Sequence, residues 1–122
     1  MNQILSKFLG GFPSGNAGKS EYHRISQSEA KQMMETQNVI ILDVREPEEY
    51  AQGHIPRAGL LPLSTINAQS AAKAIPEKDA TVLVYCRSGS RSKMAAGMLA
   101  DLGYTGIYEF GGIITWPYGI ES

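Results

Sequence analysis

Cysteine is almost absent: among 122 residues only Cys86 carries a thiol. A lone cysteine forms no internal disulfide, builds no cysteine-based zinc site and leaves no resolving partner for dithiol redox chemistry within the chain. Neither sign of charge dominates. Eleven basic and 12 acidic residues give a net charge of -1, so the basic surplus of a nucleic-acid binder is missing. No apolar run reaches the roughly 18 residues that a membrane-spanning helix needs. His23 and His54 stand apart without carboxylates at ligand spacing, so neither a metal site nor a cofactor is expected. What is present suffices for one core: 43% hydrophobic and 19% charged residues exclude a mostly disordered polypeptide.

Residues 1–20 read differently from the rest. Gly10, Gly11, Pro13, Ser14, Gly15 and Gly18 predict a flexible tail, while Ile4, Leu5, Phe8, Leu9 and Phe12 fall on roughly one helical face. A frayed tail, a partner-docking helix and a targeting segment stay open, the last opposed by Lys7 in the middle of a short apolar run. The folded domain is expected over 21–122.

From Tyr22 onward strand and helix signals alternate. A short strand over Tyr22–Ile25 precedes Ser26-Gln27-Ser28-Glu29, a capping box that opens a helix to about Gln37. Val39–Leu42, followed by Asp43, reads as a strand buried on both faces. Pro47 starts a short helix through Tyr50, ended by Gly53. A short strand over Leu60–Leu63 and a helix over Ile66–Ile75, stopped by Pro76, come next. Thr81–Tyr85 is the second strong strand and ends at Cys86. A helix from about Ser92 to Leu102 closes at Gly103, and a last strand spans Gly106–Phe110. The pattern predicts an α/β domain with a mainly parallel five-stranded sheet and helices on both faces. Such sheets bind ligands at the carboxyl ends of their strands, where Cys86 lies.

Cys86 is either an inert buried thiol or a solitary nucleophile. A nucleophilic cysteine works as its thiolate and needs surroundings that favour negative charge. Arg87 and Arg91 bring two positive charges, and the following helix presents its N-terminus. Ser88, Gly89 and Ser90 let the loop curl so that successive N–H groups converge. A structural cysteine needs none of this, so the segment 86–91 reads as an anion cradle with a nucleophile at its rim. It lacks the Gly-Lys-Ser/Thr of a nucleotide-binding loop, which disfavours ATP.

Four motifs occur in one order: Asp43-Val44-Arg45-Glu46-Pro47 with Glu49-Tyr50, Gly53-His54-Ile55-Pro56, Cys86-Arg87-Ser88-Gly89-Ser90-Arg91-Ser92, and Gly111-Gly112-Ile113 with Trp116. With these the chain resembles single-domain rhodanese-like sulfurtransferases, from about Tyr22 to Trp116. The resemblance implies a persulfide carried on Cys86, with Arg87, Ser88, Gly89, Ser90 and Arg91 binding an anionic donor such as thiosulfate. A thiophilic acceptor, cyanide or a thiol, then removes the sulfur, and a protein persulfide as donor or acceptor fits the same scheme. Two rivals are a non-catalytic interaction module, which often lacks the cysteine, and a cysteine phosphatase. The phosphatase form has five residues between cysteine and arginine, whereas four separate Cys86 from Arg91.

Asp43 and Arg45 are supporting candidates, read as an ion pair or hydrogen bond that holds the loop. His54 is expected to bond backbone, and Trp116 to be a core tryptophan. Met33, Met34, Met94 and Met98 are expected to be core or half-buried. Arg57 and Leu60 depart from the family pattern, which usually has glycine and asparagine there. The short stretch after Trp116 predicts a loosely held C-terminal edge. A lone reactive thiol suggests reducing cytoplasm, with no membrane or nucleic-acid partner; oligomeric state is not legible.

Overall fold

Ser26 starts the first helix as its sequence predicts. Its Oγ accepts the Glu29 N–H at 3.0 Å, and the Glu29 carboxylate takes the Ser26 N–H at 2.8 Å. The computed structural model that contains this cap describes residues 21–122. The expectations placed on residues 1–20 lie outside the described residues. In chain order the elements are β1 (His23–Arg24), α1 (Gln27–Thr36), β2 (Ile40–Asp43), α2 (Pro47–Gln52), β3 (Gly59–Leu60), α3 (Ala68–Ala74), β4 (Val82–Cys86), α4 (Ser90–Asp101) and β5 (Ile107–Gly112), with short 3-10 turns at Leu63–Thr65 and Ile113–Thr115. No helix among the described residues is long and apolar enough to cross a membrane.

The five strands form one sheet in the order β1–β5–β4–β2–β3, with every pairing parallel. Alternation along β4 sends Val82, Val84 and Cys86 to one face, against Ala71 of α3 and Ala95, Ala96 and Leu99 of α4. Leu83 and Tyr85 point to the other face, where they meet Ala30 and Met34 of α1, Phe110 and Trp116. Helices therefore cover both faces, and the central strand is apolar throughout because neither face meets water.

Several boundaries differ from the sequence reading for local reasons. Helix α4 begins at Ser90 rather than Ser92, because Gly89 at φ +114° turns the chain straight into it. Helix α3 begins after Ile66, where Asn67 caps the Ser70 N–H at 2.8 Å. Strand β3 is Gly59–Leu60, not Leu60–Leu63. Leu61 and Leu63 still donate to the Asp43 and Val44 carbonyls at 2.9 and 3.1 Å, but Pro62 between them has no N–H and opens a 3-10 turn. Strand β5 runs two residues past Phe110, and its extra residue forms a bulge against β4: Val84 pairs with Glu109, yet Cys86 pairs with Gly112.

Arg57, where the resemblance leads one to expect glycine, sits at φ +73°, in the left-handed region that glycine enters freely. Its guanidinium donates to the Met34 carbonyl at 3.2 Å. The C-terminal edge is held rather than loose, because His54 and Glu121 exchange backbone hydrogen bonds of 2.7 and 2.8 Å. Met34 is buried, but Met94 is exposed at 59% and Met98 at 36%, since both lie on the outer side of α4.

A buried ion pair braces the end of β2. Asp43 is fully buried and Arg45 is 5% exposed. The guanidinium takes both carboxylate oxygens at 2.7–3.0 Å and reaches the Gly53 carbonyl at 2.7 Å. Tyr85 donates its hydroxyl to Asp43 at 2.7 Å and accepts the Ile55 N–H at 3.0 Å. Asp43→Ala strands a buried guanidinium, so urea denaturation is expected to give an unfolding free energy lower by about 3–5 kcal/mol. A loss below about 1 kcal/mol contradicts this role.

Candidate active site

Cys86 is the last residue of β4 and is 1% exposed. The chain then climbs through Arg87 and Ser88, turns at Gly89 and enters α4. Gly89 N–H points back at Cys86 Sγ at 3.0 Å, and the Ser92 hydroxyl lies 3.5 Å from the same sulfur. Burial pushes the Cys86 thiol up. Hydrogen bonds from the Ser92 hydroxyl and from the N–H groups of Ser92, Gly89 and Ser88 outweigh that and hold it below its ordinary value. The helix N-terminus and the loop thus converge on one sulfur atom.

Two close approaches impose this curl. A Cβ on Gly112 would fall onto the Arg87 carbonyl and within 2.5 Å of the Ser88 nitrogen, so only glycine lets the loop rest on β5. The Arg87 carbonyl is also fixed by the Ile114 N–H at 3.1 Å.

The predicted site residues fall into four groups. Cys86, Ser88 and Gly89 are brought together. Ser90 is exposed in the first turn of α4, and Arg87 is exposed with no ion pair among the described residues. Arg91 is turned toward α2, where Glu49 grips its guanidinium through two bonds of 2.6 and 2.9 Å. That grip holds the Glu49 carboxyl down at about 2. Arg91 and the sulfur still sense each other electrostatically, but the neutral donors are the largest influences that lower the thiol. Asp43 and Arg45 lie on the Tyr85 face of the sheet, opposite the Cys86 side chain, and their hydrogen bonds go to Tyr85 and Gly53 rather than to the loop. His54 bonds the Tyr50 carbonyl through Nδ1 at 2.9 Å and stacks on the Tyr50 ring. Trp116 packs against Phe110 on the Tyr85 face.

Three residues at the site carried a weaker sequence signal. Glu49 and Ser92 stood inside motifs without a role. Glu109 is wholly buried and accepts the Ser92 hydroxyl at 2.7 Å; its signal was an acid in an apolar strand that ends in Gly-Gly.

A family model described as Rhodanese-like domain matches residues 26–116. A protein named sulfurtransferase from Allochromatium vinosum is 41% identical over 92 residues, 75% of this chain and 83% of its own length. The thiosulfate sulfurtransferase PspE of Escherichia coli is 40% identical over 72 residues, 59% of this chain and 68% of its own. A solved structure of a rhodanese with anions from E. coli superposes with a TM-score of 0.63 at 34% identity, covering 70% of this chain and 99% of that one.

Two variants test the geometry by the pH dependence of Cys86 alkylation. Ser92→Ala removes the strongest stabiliser of the thiolate, so the reactivity midpoint is expected to move up, slowing alkylation at neutral pH by about tenfold per pKa unit. Gly112→Ala pushes the loop off β5 and is expected to slow alkylation while costing about 1–3 kcal/mol of stability or more. Unchanged midpoints in both variants contradict the cradle.

Proposed function

The chain belongs to the rhodanese-like domain family, and on that premise we propose that it is a sulfurtransferase that carries sulfane sulfur on Cys86. The observation that carries the reading is the Gly89 N–H aimed at Cys86 Sγ at 3.0 Å. Hydrogen bonds to the charged form hold a thiolate ready and then accept the anionic persulfide without rearrangement. The relatives' names support sulfur transfer as the class of reaction.

In the first half-reaction the Cys86 thiolate attacks the outer sulfur of a donor such as thiosulfate. The donor's S–S bond breaks, and sulfite leaves with its electron pair. Cys86 is left as a persulfide. In the second, cyanide or a thiolate attacks the terminal sulfur, and Cys86 departs as thiolate again. The form is ping-pong covalent catalysis. Arg87, exposed at the loop's shoulder, and the N–H groups of Ser88 and Gly89 are the groups that meet the donor anion, with Ser90 at the rim. Arg91, held by Glu49, orients the start of α4 and adds its charge at a distance. Asp43 and Arg45 support the turn at Gly53. A protein persulfide serves the same two steps as donor or acceptor. The thiol has to stay free for either, which supports a reducing compartment such as the cytoplasm.

The interaction-module reading has no use for a thiol held below its ordinary value, and the phosphatase reading needs a longer loop than the four residues between Cys86 and Arg91. Intact-protein mass after incubation with thiosulfate is expected to rise by one sulfur atom mapping to Cys86 and to return on adding cyanide. Cys86→Ser is expected to take up none. No gain on a reduced, alkylatable Cys86 overturns transfer from small donors.

A further inference from the structure

Glu109 is a charge where the fold calls for a hydrocarbon. It alternates with Tyr108 and Phe110 along β5 and points to the same face as Ile107 and its neighbour Val84. It is fully buried. One carboxylate oxygen, Oε2, accepts the Gly111 N–H at 2.8 Å and the Ser92 hydroxyl at 2.7 Å. The other, Oε1, has no hydrogen-bond partner. Arg24 of β1 brings its Nε to 3.3 Å of it, without the alignment of a hydrogen bond, from a side chain 64% exposed. A buried carboxylate with one oxygen left without a hydrogen bond and its cation half in solvent is a ready place for a proton.

The partner it shares is the informative one. Ser92 Oγ lies 2.7 Å from Glu109 Oε2 and 3.5 Å from Cys86 Sγ, with the Gly89 and Gly111 carbonyls at 3.0 and 3.3 Å as longer-range acceptors. A hydroxyl owns one proton. With the thiol protonated, S–H points at the Ser92 oxygen and the Ser92 proton goes to Glu109. With the sulfur as thiolate, the Ser92 proton is drawn to sulfur, beside the Gly89 N–H that already points there. The short contact to Glu109 then needs a proton on the carboxyl side.

We propose that Glu109 is a positioning residue for Cys86, storing through Ser92 the proton that the thiol gives up. The Cys86 S–H bond breaks and leaves its electron pair on sulfur. That proton goes to Ser92 Oγ as the serine's own proton passes to Glu109 Oε2. One negative charge moves from carboxylate to sulfur, nothing is oxidised or reduced, and no outside base takes part. Among the described residues, the charged or titratable groups facing Glu109 are Arg24 from β1 and, across Ser92, Cys86 from β4; α4 contributes the serine hydroxyl. The proposal rests on Cys86 acting as a nucleophile, as the sulfur-transfer reading requires.

The test is Glu109→Gln. The Gly111 N–H requires an oxygen at the Oε2 position, so the amide keeps accepting the Ser92 proton but cannot return one. In the native protein, Cys86 alkylation by iodoacetamide is expected to rise with pH in two steps, as a coupled pair must. The variant is expected to show a single step at higher pH, with alkylation at neutral pH slower by about tenfold per pKa unit gained. The infrared spectrum of the native protein at neutral pH is expected to contain a buried carboxylic-acid band that Glu109→Gln and Cys86→Ser both remove. If Glu109→Gln does not fold, Ser92→Ala cuts the same chain and is expected to give the single step. Identical single-step profiles in native protein and variant, or no carboxylic-acid band, overturn the proposal. Because these readouts need no sulfur donor, failure to load sulfur from thiosulfate bears on the transfer reading alone.

Discussion

The Arg87–Ser88 peptide rests directly on Gly112, with no room between them for a single methyl group. That approach requires the β5 backbone to come up beside the end of β4, which the bulge between Glu109 and Gly112 arranges by spending three residues of β5 on two of β4. Once the peptide is seated there, the direction of the next turn is set. Gly89 takes its left-handed conformation, its N–H faces back to the sulfur, and α4 starts immediately. The nucleophile's surroundings are thus a product of strand register more than of charged side chains.

Two of the arginines are instead used in pairs away from the sulfur. Arg91 is clasped by Glu49 and Arg45 by Asp43, so one pair ties α2 to the start of α4 and the other ties the turn at Gly53 to the end of β2. Close to Cys86 the protein relies on backbone N–H groups and one hydroxyl. Neutral donors stabilise a thiolate without competing for it as a permanent cation does, which suits a sulfur that has to leave and return as an anion in each proposed cycle.

Most of the architecture was legible in the sequence because its signals are local. The capping box at Ser26, the apolar runs before Asp43 and Cys86, and the Gly103 stop each act within a few residues. Errors arose where long-range pairing decides. Leu61 and Leu63 look like strand by composition, but Pro62 breaks the ladder. The sequence around Arg91 advertises a cation at the nucleophile, yet Glu49, 42 residues earlier, claims it. Sequence proximity suggests that the Asp43–Arg45 pair holds the loop, whereas the parity of β2 and β4 puts it behind the sheet. Glu109 carries little sequence signal, because an acid in a strand ordinarily faces water, and only the packing of α4 reveals that it does not.

Cys86 combines an easily ionised thiol with an exposure of 1%. Oxidative damage to cysteine follows two factors, thiolate character and reach from solvent. The first is raised here by the loop, and the second is nearly abolished by the strand end on which the sulfur sits. A molecule waiting between encounters is therefore shielded from bulky electrophiles while staying open to a reagent of a few atoms. The same wall that narrows what can react also preserves the thiol for the next donor.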